Sequence, residues 1–342
     1  MAGVQANLEP DIHTLHIYQG VEAFNNNDFH TALVEFDQAL AIREAPYARW
    51  DRALALLALG RYQEGFADYG ACRIIFRNEL SPRGMRLLKT MPPWRGENAP
   101  VLLLHEAGYG DGIQLMRYVP MVKERVGLVG LEMPSPLSCL ASQLAPVIDD
   151  EIDEKQFRYA CTLFDLMEVL QVDVKTVPPP PYLRSEPILR SKWMRRIDRY
   201  GHGQRQRIGI AWSVKLGSKH EHPNARREIS LDKFLELLPF DGELYSLQIQ
   251  EQEEANVRGI HTLGISDFAD VCAIISCMDR VVSVDTAALH IAGAIGHPAT
   301  FALLPFAATW RWLNGNVWYP GMKLCQQESP GDWRSAFGKI NG

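Results

Sequence analysis

From residue 101 onward the sequence alternates short apolar runs with helix-like stretches, and this alternation constrains the fold more than any other feature. VLLLH, LVGLEM and FRYACTL each have the length of a buried strand, and SPLSCLASQL between the last two has helical spacing. Short strands that alternate with helices indicate an α/β domain with a mainly parallel sheet. The sequence therefore predicts such a domain in the middle of the chain.

The same alternation returns after the proline tract VPPPPYL. It runs through RIGIAWS (strand), SLDKFLELL (helix), LYSLQI (strand), DFADVCAIISCM (helix), RVVSVDT (strand), AALHIAGAIG (helix) and ATFALLP (strand). Consecutive prolines continue neither a helix nor a central strand, so the tract marks a domain boundary. We expect two doubly wound domains, with a ligand in the cleft between the carboxyl ends of their sheets.

The first part of the chain contains an internal repeat with an offset of 33 residues. The offset pairs Phe29 with Tyr62, Ala32 with Gly65, Phe36 with Tyr69, and Ala39 with Cys72. Small residues that meet large ones at helical spacing are typical of closely packed antiparallel helices, and the period resembles the tetratricopeptide repeat of about 34 residues. These repeats form either a structural cap on the next domain or a groove for a protein or peptide.

These patterns divide the chain into three domains. We place the all-α helical repeats at residues 1–90, the first Rossmann-like α/β domain at 91–190, and the second, with a C-terminal tail, at 191–342. The turn-rich segment MPPWRGENAP separates the first two domains.

The composition of the chain limits which partners, location and cofactors we expect. The chain has 342 residues, a formal net charge of −6 and 46% hydrophobic residues, which is typical of a soluble globular protein and does not favour a nucleic-acid partner. There is no apolar run of about 18 residues and no signal-peptide pattern, so we expect no transmembrane segment and a cytoplasmic location. The six cysteines form no CxxC pair, and no metal-ligand cluster is evident, so no metal and no other cofactor is expected.

The stretch RVVSVDTAALHIAGAIGHP turns from a strand into a helix of mostly small residues. Asp285 and Thr286 stand at the junction, where either can cap the helix. The first-turn N–H groups carry partial positive charge, and the small side chain of Ala287 leaves them accessible to a diphosphate. His290 lies four residues after Thr286 on the same helical face and can donate to a phosphate or sugar hydroxyl. The alternative is a capped core helix with a satisfied histidine.

The loop HEAGYGDGIQ places a similar junction in the first α/β domain. Gly108, Gly110 and Gly112 leave the loop backbone open, and Asp111 stands at the start of the following helix. A carboxylate at the edge of a cleft can act as general base on an acceptor hydroxyl or amine, and it can equally be a plain N-cap. The glycine spacing is not the dinucleotide fingerprint, because no third glycine follows at the required position.

Two further segments offer ligand-binding side chains. The loop SKHEHPNARREISL contains Lys219 and Arg227 after the first strand of the second domain, and basic side chains of this kind suit phosphate oxygens. The segment FAATWRWLNGNVWYP contains Trp310 and Trp312, which can form a stacking wall for a sugar or a base. The alternatives are a solvated charged loop and an aromatic core at a domain interface.

Taken in order, the motifs EAGYGDGIQLMRYVP, RIGIAWS, SVDTAALHIAGAIGHP, LLPF, WRW, WYP and GDW resemble those of a known family. The family comprises bacterial tetratricopeptide proteins that carry a C-terminal glycosyltransferase domain. It is related to the lipopolysaccharide heptosyltransferases of glycosyltransferase family 9 and, more distantly, to protein O-GlcNAc transferases. The resemblance covers nearly the whole chain. It implies a GT-B fold, a nucleotide-sugar donor held mainly by the C-terminal domain, and transfer without a metal.

The resemblance also implies roles for individual residues. Asp111 matches the catalytic base, in a loop near the substrates that includes Gly108, Gly110 and Gln114. The predicted donor-diphosphate site comprises Asp285, Thr286, Ala287, His290, Lys219 and Arg227. An inverting displacement needs one base at the acceptor and stabilisation of the departing diphosphate, and a helix N-terminus with basic side chains takes the place of a metal there.

Three positions depart from the family pattern. Ala107 and Tyr109 replace the Gln and Leu of the usual first loop, and Thr309 replaces an acidic residue before WRW. These changes alter the donor sugar or reduce activity, and the sequence does not decide between the two.

The leading interpretation is a glycosyltransferase that uses a nucleotide sugar and modifies a protein or glycan acceptor recruited by the repeats. One alternative is an inactive transferase domain in a binding or adaptor protein. Another is a non-sugar nucleotide enzyme such as an epimerase. The sugar, the nucleotide, the acceptor and the oligomeric state do not follow from the sequence.

Overall fold

The computed structural model describes residues 11–72, 80–148, 153–200, 205–214, 223–249 and 252–341. Within them the chain forms a helical unit followed by two separate parallel sheets with their helices. Among these residues no helix has the length and apolar character needed to cross a membrane. Lys219 and the last residues of the second predicted repeat, 73–75, lie outside the described residues.

The helical unit consists of two successive hairpins. Its helices are α1 (Ile12–Asn25), α2 (Phe29–Ile42), α3 (Pro46–Ala58) and α4 (Tyr62–Cys72). The second helix of each hairpin begins at Phe29 and at Tyr62, the pair that the offset of 33 equates. A Cβ atom on Gly65 would come within 2.8 Å of the Leu57 side chain, so a small residue is needed where α4 crosses α3.

The first α/β domain has a three-stranded sheet. Its elements are α5 (Pro82–Thr90), β1 (Val101–Leu104), α6 (Tyr109–Leu115), α7 (Val119–Val126), β2 (Val129–Glu132), α8 (Ser135–Ala141), β3 (Tyr159–Thr162) and α9 (Asp165–Val169). The strands lie in the order β2-β1-β3 and are all parallel, as the sequence predicts. Leu87 of α5 is buried against Leu102 and Leu104, so α5 packs with this sheet although it precedes residue 91.

The second α/β domain has a five-stranded parallel sheet in the order β5-β4-β6-β7-β8. Its strands are β4 (Arg207–Ala211), β5 (Glu243–Ser246), β6 (Arg280–Val284), β7 (Thr300–Leu304) and β8 (Lys323–Gln326). Its helices are α10 (Pro187–Ile197), α11 (Leu231–Leu237), α12 (Gln252–Val257), α13 (Phe268–Ile275), α14 (Ala287–Ala294) and α15 (Trp333–Gly338). The indole N–H of Trp193 in α10 donates to the Asp270 carboxylate of α13 at 2.8 Å, which fixes the helix that opens the domain.

In both sheets, the direction in which successive strands are added reverses at the first strand of the sheet. The chain adds β2 on one side of β1 and then β3 on the other, and it adds β5 and β6 on opposite sides of β4. A crevice forms outside the carboxyl ends of the strands at such a switch point, and ligands of open α/β sheets bind there. The fold therefore places the loops after β1, β3 and β6 where a ligand site is expected.

A fully buried arginine joins the two α/β domains. Arg117 donates to the carbonyl oxygens of Gln114 (2.9 Å), Pro178 (3.1 Å) and Trp318 (2.9 Å). Its guanidinium carbon also lies 4.8–5.0 Å from the ring centroids of Tyr182, Trp318 and Tyr319. Because Pro178 and Tyr182 belong to the proline tract, this contact connects the first domain, the tract and the second domain.

The helical unit packs on the second α/β domain through aromatic side chains. Trp318 donates its indole N–H to the Tyr62 hydroxyl at 3.0 Å, and Trp310 packs edge-on against Tyr62 and Phe66. All of these side chains are buried. Trp310 and Trp318 of the aromatic segment after β7 thus belong to the core of this interface.

Candidate functional site

A cleft of about 380 Å³ lies where the helical unit and both α/β domains meet. Its lining consists of Trp50, Leu54, Tyr69, Ala107, Asp111, Phe164, Ala225, Arg227, Pro305, Ala307, Thr309, Trp310 and Arg311. Ala107, Phe164 and Pro305 lie within three residues of the ends of β1, β3 and β7, so the cleft is at the carboxyl ends of parallel strands from both sheets. Among the residues that the structure describes, the charged side chains in this lining are Asp111 from the first domain and Arg227 and Arg311 from the second.

Asp111 lies at the edge of this cleft and also caps helix α6. Its Oδ2 accepts the Gly108 backbone N–H at 3.0 Å, which satisfies the amide ahead of the helix. Its Oδ1 pairs with the Arg311 guanidinium, and about a fifth of the side chain is exposed (21%). The N-cap of α6 is therefore Gly108 and not Asp111, which caps the helix from its third position and is at the same time a carboxylate of the cleft.

Arg311 is the counterion of Asp111, and sequence reasoning missed it. It lies in the short 3₁₀ helix Trp310–Trp312. Its Nε donates to Oε1 of Gln114 at 2.8 Å, and its guanidinium carbon lies 4.5 Å from the ring centroid of Trp310. The one signal in the sequence is a cation between two tryptophans, and nothing local connects it to a carboxylate 200 positions earlier.

Asp285 is buried at the start of α14 and has two basic neighbours. Its Oδ1 lies 3.5 Å from Nε2 of His290, and its Oδ2 lies 3.9 Å from Nη1 of Arg227. Burial by itself raises the pKa of this carboxyl, but the hydrogen bond and charge of His290, together with Arg227, outweigh burial and lower the pKa to about 2. Asp285 is therefore an ionised group beside the cleft.

His290 lies at the contact between the two α/β domains. Its Nδ1 is 3.0 Å from the Tyr319 hydroxyl, and its ring stacks at an angle on Trp312, with centroids 5.2 Å apart. A Cβ atom on Gly110 would come within 2.6 Å of the His290 ring, so α6 approaches α14 closely only because residue 110 is glycine. His290 has protein partners at both ring nitrogens.

The remaining predicted residues surround this contact. Thr286 is the N-cap of α14, with its hydroxyl 3.0 Å from Ser283 Oγ, and the partly exposed Ala287 begins the helix. Gln114 is fully buried beneath Arg311. Of the predicted aromatic wall, Trp310 lines the cleft, whereas Trp312 packs against His290.

The three positions that depart from the pattern of the resembled family lie at the cleft or at the contact between the two α/β domains. Ala107 has a φ of +66°, a left-handed conformation that costs a non-glycine residue about 1 kcal/mol, and it lines the cleft. Tyr109 packs edge-on against Phe268 of α13, with ring centroids 5.1 Å apart, and so joins the two α/β domains. Thr309 lines the cleft beside Trp310.

Three aromatic rings extend across the helical side of the cleft, and sequence reasoning did not single them out. The Trp50 and Tyr69 centroids are 4.5 Å apart, and Tyr69 stacks on Phe164 with centroids 4.8 Å apart and planes at 19°. We call Trp50, Tyr69 and Phe164 the aromatic ladder. It connects the helical unit to the loop after β3, so the helical unit supplies a wall of the cleft directly.

Comparisons with known proteins give distant similarities. No family model matches the chain. It is 22% identical over 380 residues to the protein FlbA of Caulobacter vibrioides, and the match covers 97% of this chain but 61% of FlbA, so the chain spans less than two thirds of that relative's length.

Solved structures that are similar to the chain include the following two. One is a family 9 glycosyltransferase of Veillonella parvula (TM-score 0.44, 10% identity, 69% of this chain and 88% of that chain). The other is the ADP-heptose lipopolysaccharide heptosyltransferase II of E. coli (TM-score 0.45, 14% identity, 71% of this chain and 97% of that chain). Both of these neighbours are glycosyltransferases.

Proposed function

We propose that the protein is a glycosyltransferase of GT-B type that moves a sugar from a nucleotide-sugar donor to a protein or glycan acceptor, with inversion and without a metal. One observation carries the proposal: a single cleft at the carboxyl ends of two parallel sheets is lined by the carboxylate of Asp111 and by the guanidinium groups of Arg227 and Arg311. A base for the acceptor and positive charge for a departing diphosphate are the two groups that such a displacement requires.

In the proposed reaction, Asp111 takes the proton of an acceptor hydroxyl or amine as that atom attacks the anomeric carbon. The new glycosidic bond forms on one face of the sugar while the bond to the diphosphate oxygen breaks on the other, and the electron pair stays on the diphosphate. Arg227 and Arg311, which line the cleft, stabilise the charge of the leaving group.

Asp285 has a positioning role in this proposal rather than the donor contact expected from the sequence. A buried carboxylate with a pKa of about 2 is ionised and repels phosphate oxygens. Its neighbours are Arg227, at 3.9 Å, and His290, at 3.5 Å. We therefore assign Asp285 the role of orienting Arg227 toward the cleft and His290 toward the domain contact.

The aromatic ladder is the proposed acceptor side of the cleft. Aromatic faces stack on the apolar face of a sugar ring and on aliphatic or aromatic peptide side chains. Because the ladder begins on α3 and ends after β3, an acceptor held by the helical unit lies beside Asp111. In this way the helical unit takes part in acceptor binding and is more than a structural cap.

A thermal-shift panel of ADP, GDP, UDP and their sugar conjugates tests the proposal. A ligand at 100 times its Kd stabilises the folded state by about 2.7 kcal/mol, so one nucleoside diphosphate and its sugar conjugates are expected to raise Tm clearly. Mass spectrometry then follows sugar loss from the stabilising donor. If none of these compounds changes Tm, the donor-site assignment is wrong.

The second candidate, a binding protein without transferase activity, is favoured by one observation. Both carboxylate oxygens of Asp111 already have protein partners, Gly108 and Arg311. If a donor binds and neither transfer nor donor hydrolysis is detected, and if Asp111→Asn changes nothing further, the binding protein is the correct description.

A further inference from the structure

We infer that Arg311 is an anion-responsive latch, which pairs with Asp111 until a diphosphate enters the cleft and then releases it. The inference rests on the proposed function of the cleft and adds a control step to it. Arg311 then has two successive partners, first the catalytic carboxylate and afterwards the leaving group.

The closed latch is visible in the contacts of Arg311. The side chain reaches from the second α/β domain to α6 of the first, where it bonds Asp111 and Gln114, which lie three residues apart on one helical turn. Its side chain is 15% exposed and that of Asp111 is 21% exposed, so water screens the pair only partly. A charge-assisted contact of this kind is strong enough to withhold the carboxylate from another proton donor.

Other groups at the cleft favour an exchange of partners. Contacts to Asp111 and Gln114 use two of the five N–H donors of a guanidinium. Arg227 lines the same cleft, so an entering diphosphate meets two guanidinium groups, whose fork geometry matches phosphate oxygens. The Thr309 hydroxyl, also at this cleft, is buried and has no hydrogen-bond partner within the described residues, and a phosphate oxygen would supply one.

The exchange has a direct consequence for Asp111. When Arg311 turns to the phosphate, Asp111 keeps the Gly108 amide as a partner and regains Oδ1 as an acceptor for the substrate proton. The base therefore becomes available only after the donor has bound. Asp111 and the diphosphate compete for the guanidinium of Arg311. By linkage, binding of the diphosphate weakens the pair of Asp111 and Arg311, and that pair weakens binding of the diphosphate.

A double-mutant cycle measured by titration calorimetry on the full chain tests the latch. The probes are inorganic pyrophosphate and whichever of ADP, GDP or UDP stabilises the protein. Asp111→Asn is expected to tighten binding of the probe roughly tenfold, because Arg311 no longer has an anionic partner, and Arg311→Met is expected to weaken it by a similar factor. In the Arg311→Met background, Asp111→Asn is expected to change the affinity by less than about twofold.

Simple charge repulsion predicts the opposite result, because an unpaired Asp111 repels the probe more strongly once Arg311 is absent. The latch is overturned if Asp111→Asn tightens binding as much or more in the Arg311→Met background. Glu64→Gln is the matched control, since it removes the same charge from the surface pair of Arg61 and Glu64 and is expected to leave the affinity unchanged. An equal tightening in Glu64→Gln would also overturn the latch.

A milder variant covers the case in which Asp111→Asn does not fold. Gln114→Met removes the 2.8 Å bond to Arg311 Nε without changing charge, and it is expected to tighten probe binding about threefold. Unchanged affinity in Gln114→Met contradicts the latch. If the wild-type chain binds neither pyrophosphate nor any nucleotide, the proposed function fails together with the latch, whereas normal wild-type binding with the wrong cycle overturns the latch alone.

Discussion

Arg117 and Arg311 both connect the two α/β domains, and their surroundings differ. Arg117 is fully buried, donates to three backbone carbonyls and is enclosed by three aromatic rings. Arg311 lines a cleft and is held by the side chains of Asp111 and Gln114. The carbonyl partners of Arg117 lie in a largely buried contact that does not line the cleft, whereas the carboxylate of Asp111 competes with any anion that enters the cleft for Arg311. Arg117 is therefore a permanent link between the two α/β domains, and Arg311 is an exchangeable one.

The largest expected effect concerns the exchangeable link. Asp111→Asn is expected to lower kcat by about 10²- to 10⁴-fold, the usual contribution of a general base, while donor binding persists. Steady-state kinetics of donor turnover, with the free energy of unfolding measured alongside, check this. A loss of folding instead of turnover would show that Asp111 acts mainly as the cap of α6.

The next largest effect concerns the permanent link. Arg117→Met is expected to lower the free energy of unfolding by about 3 kcal/mol or more, because three carbonyl oxygens, two of them in buried hydrogen bonds, lose this donor. Arg311→Met is expected to cost less than about 1 kcal/mol. Urea unfolding of the two variants measures the difference, and equal losses would erase the distinction between the two arginines.

Asp285 extends the comparison of permanent and exchangeable links, because it is a charged group whose contacts with His290 and Arg227 we expect to be permanent. A carboxyl with a folded-state pKa of about 2, against an ordinary value of 3.8, stabilises the fold above pH 4 and loses that contribution as pH falls toward 2. The shift corresponds to about 2 kcal/mol. Stability curves against pH are therefore expected to converge for wild type and Asp285→Asn between pH 4 and pH 2. A constant gap between the curves would refute the assignment.

The smallest expected effect concerns the helical side of the cleft, next to the exchangeable link. Once transfer to an acceptor is detected, Trp50→Ala is expected to raise the acceptor KM about tenfold, the order of one lost aromatic contact, and to leave donor hydrolysis unchanged. Tyr47→Ala is the matched control, because Tyr47 lies on the same helix with 66% exposure and does not line the cleft. If both variants changed the acceptor KM equally, the helical unit would be a structural cap without a role in acceptor binding.

The sequence predicted those features that depend on neighbouring residues. The apolar runs of β1 to β7 have strand length and are separated by helices, and the strands lie where the runs are. Thr286 is the N-cap of α14 as predicted, although its side chain makes no capping hydrogen bond, whereas α6 begins two residues before Asp111, at Tyr109. Strand β8 and helix α15 were not predicted. For β8 the reason is that KLCQ is a short, half-polar run at the edge of the sheet.

The parts of the site that the sequence did not reveal depend on long-range contacts. Arg311 meets Asp111 across 200 positions, and the aromatic ladder joins residues of α3 and α4 to a loop after β3. The sequence left His290 as either a phosphate or sugar contact or a satisfied core histidine, and its protein partners, Tyr319 and Asp285, could not be read from it. No periodicity or spacing encodes such pairs, because they form only when three separate units pack together.

A crystal structure of the protein with the nucleoside diphosphate that stabilises it tests the central claim most directly. The account predicts that the β-phosphate lies in the cleft within hydrogen-bonding distance of Arg227 and Arg311, and that Asp111 has lost its contact with Arg311. A nucleotide bound elsewhere, or one bound in the cleft while Arg311 still pairs with Asp111, would contradict it.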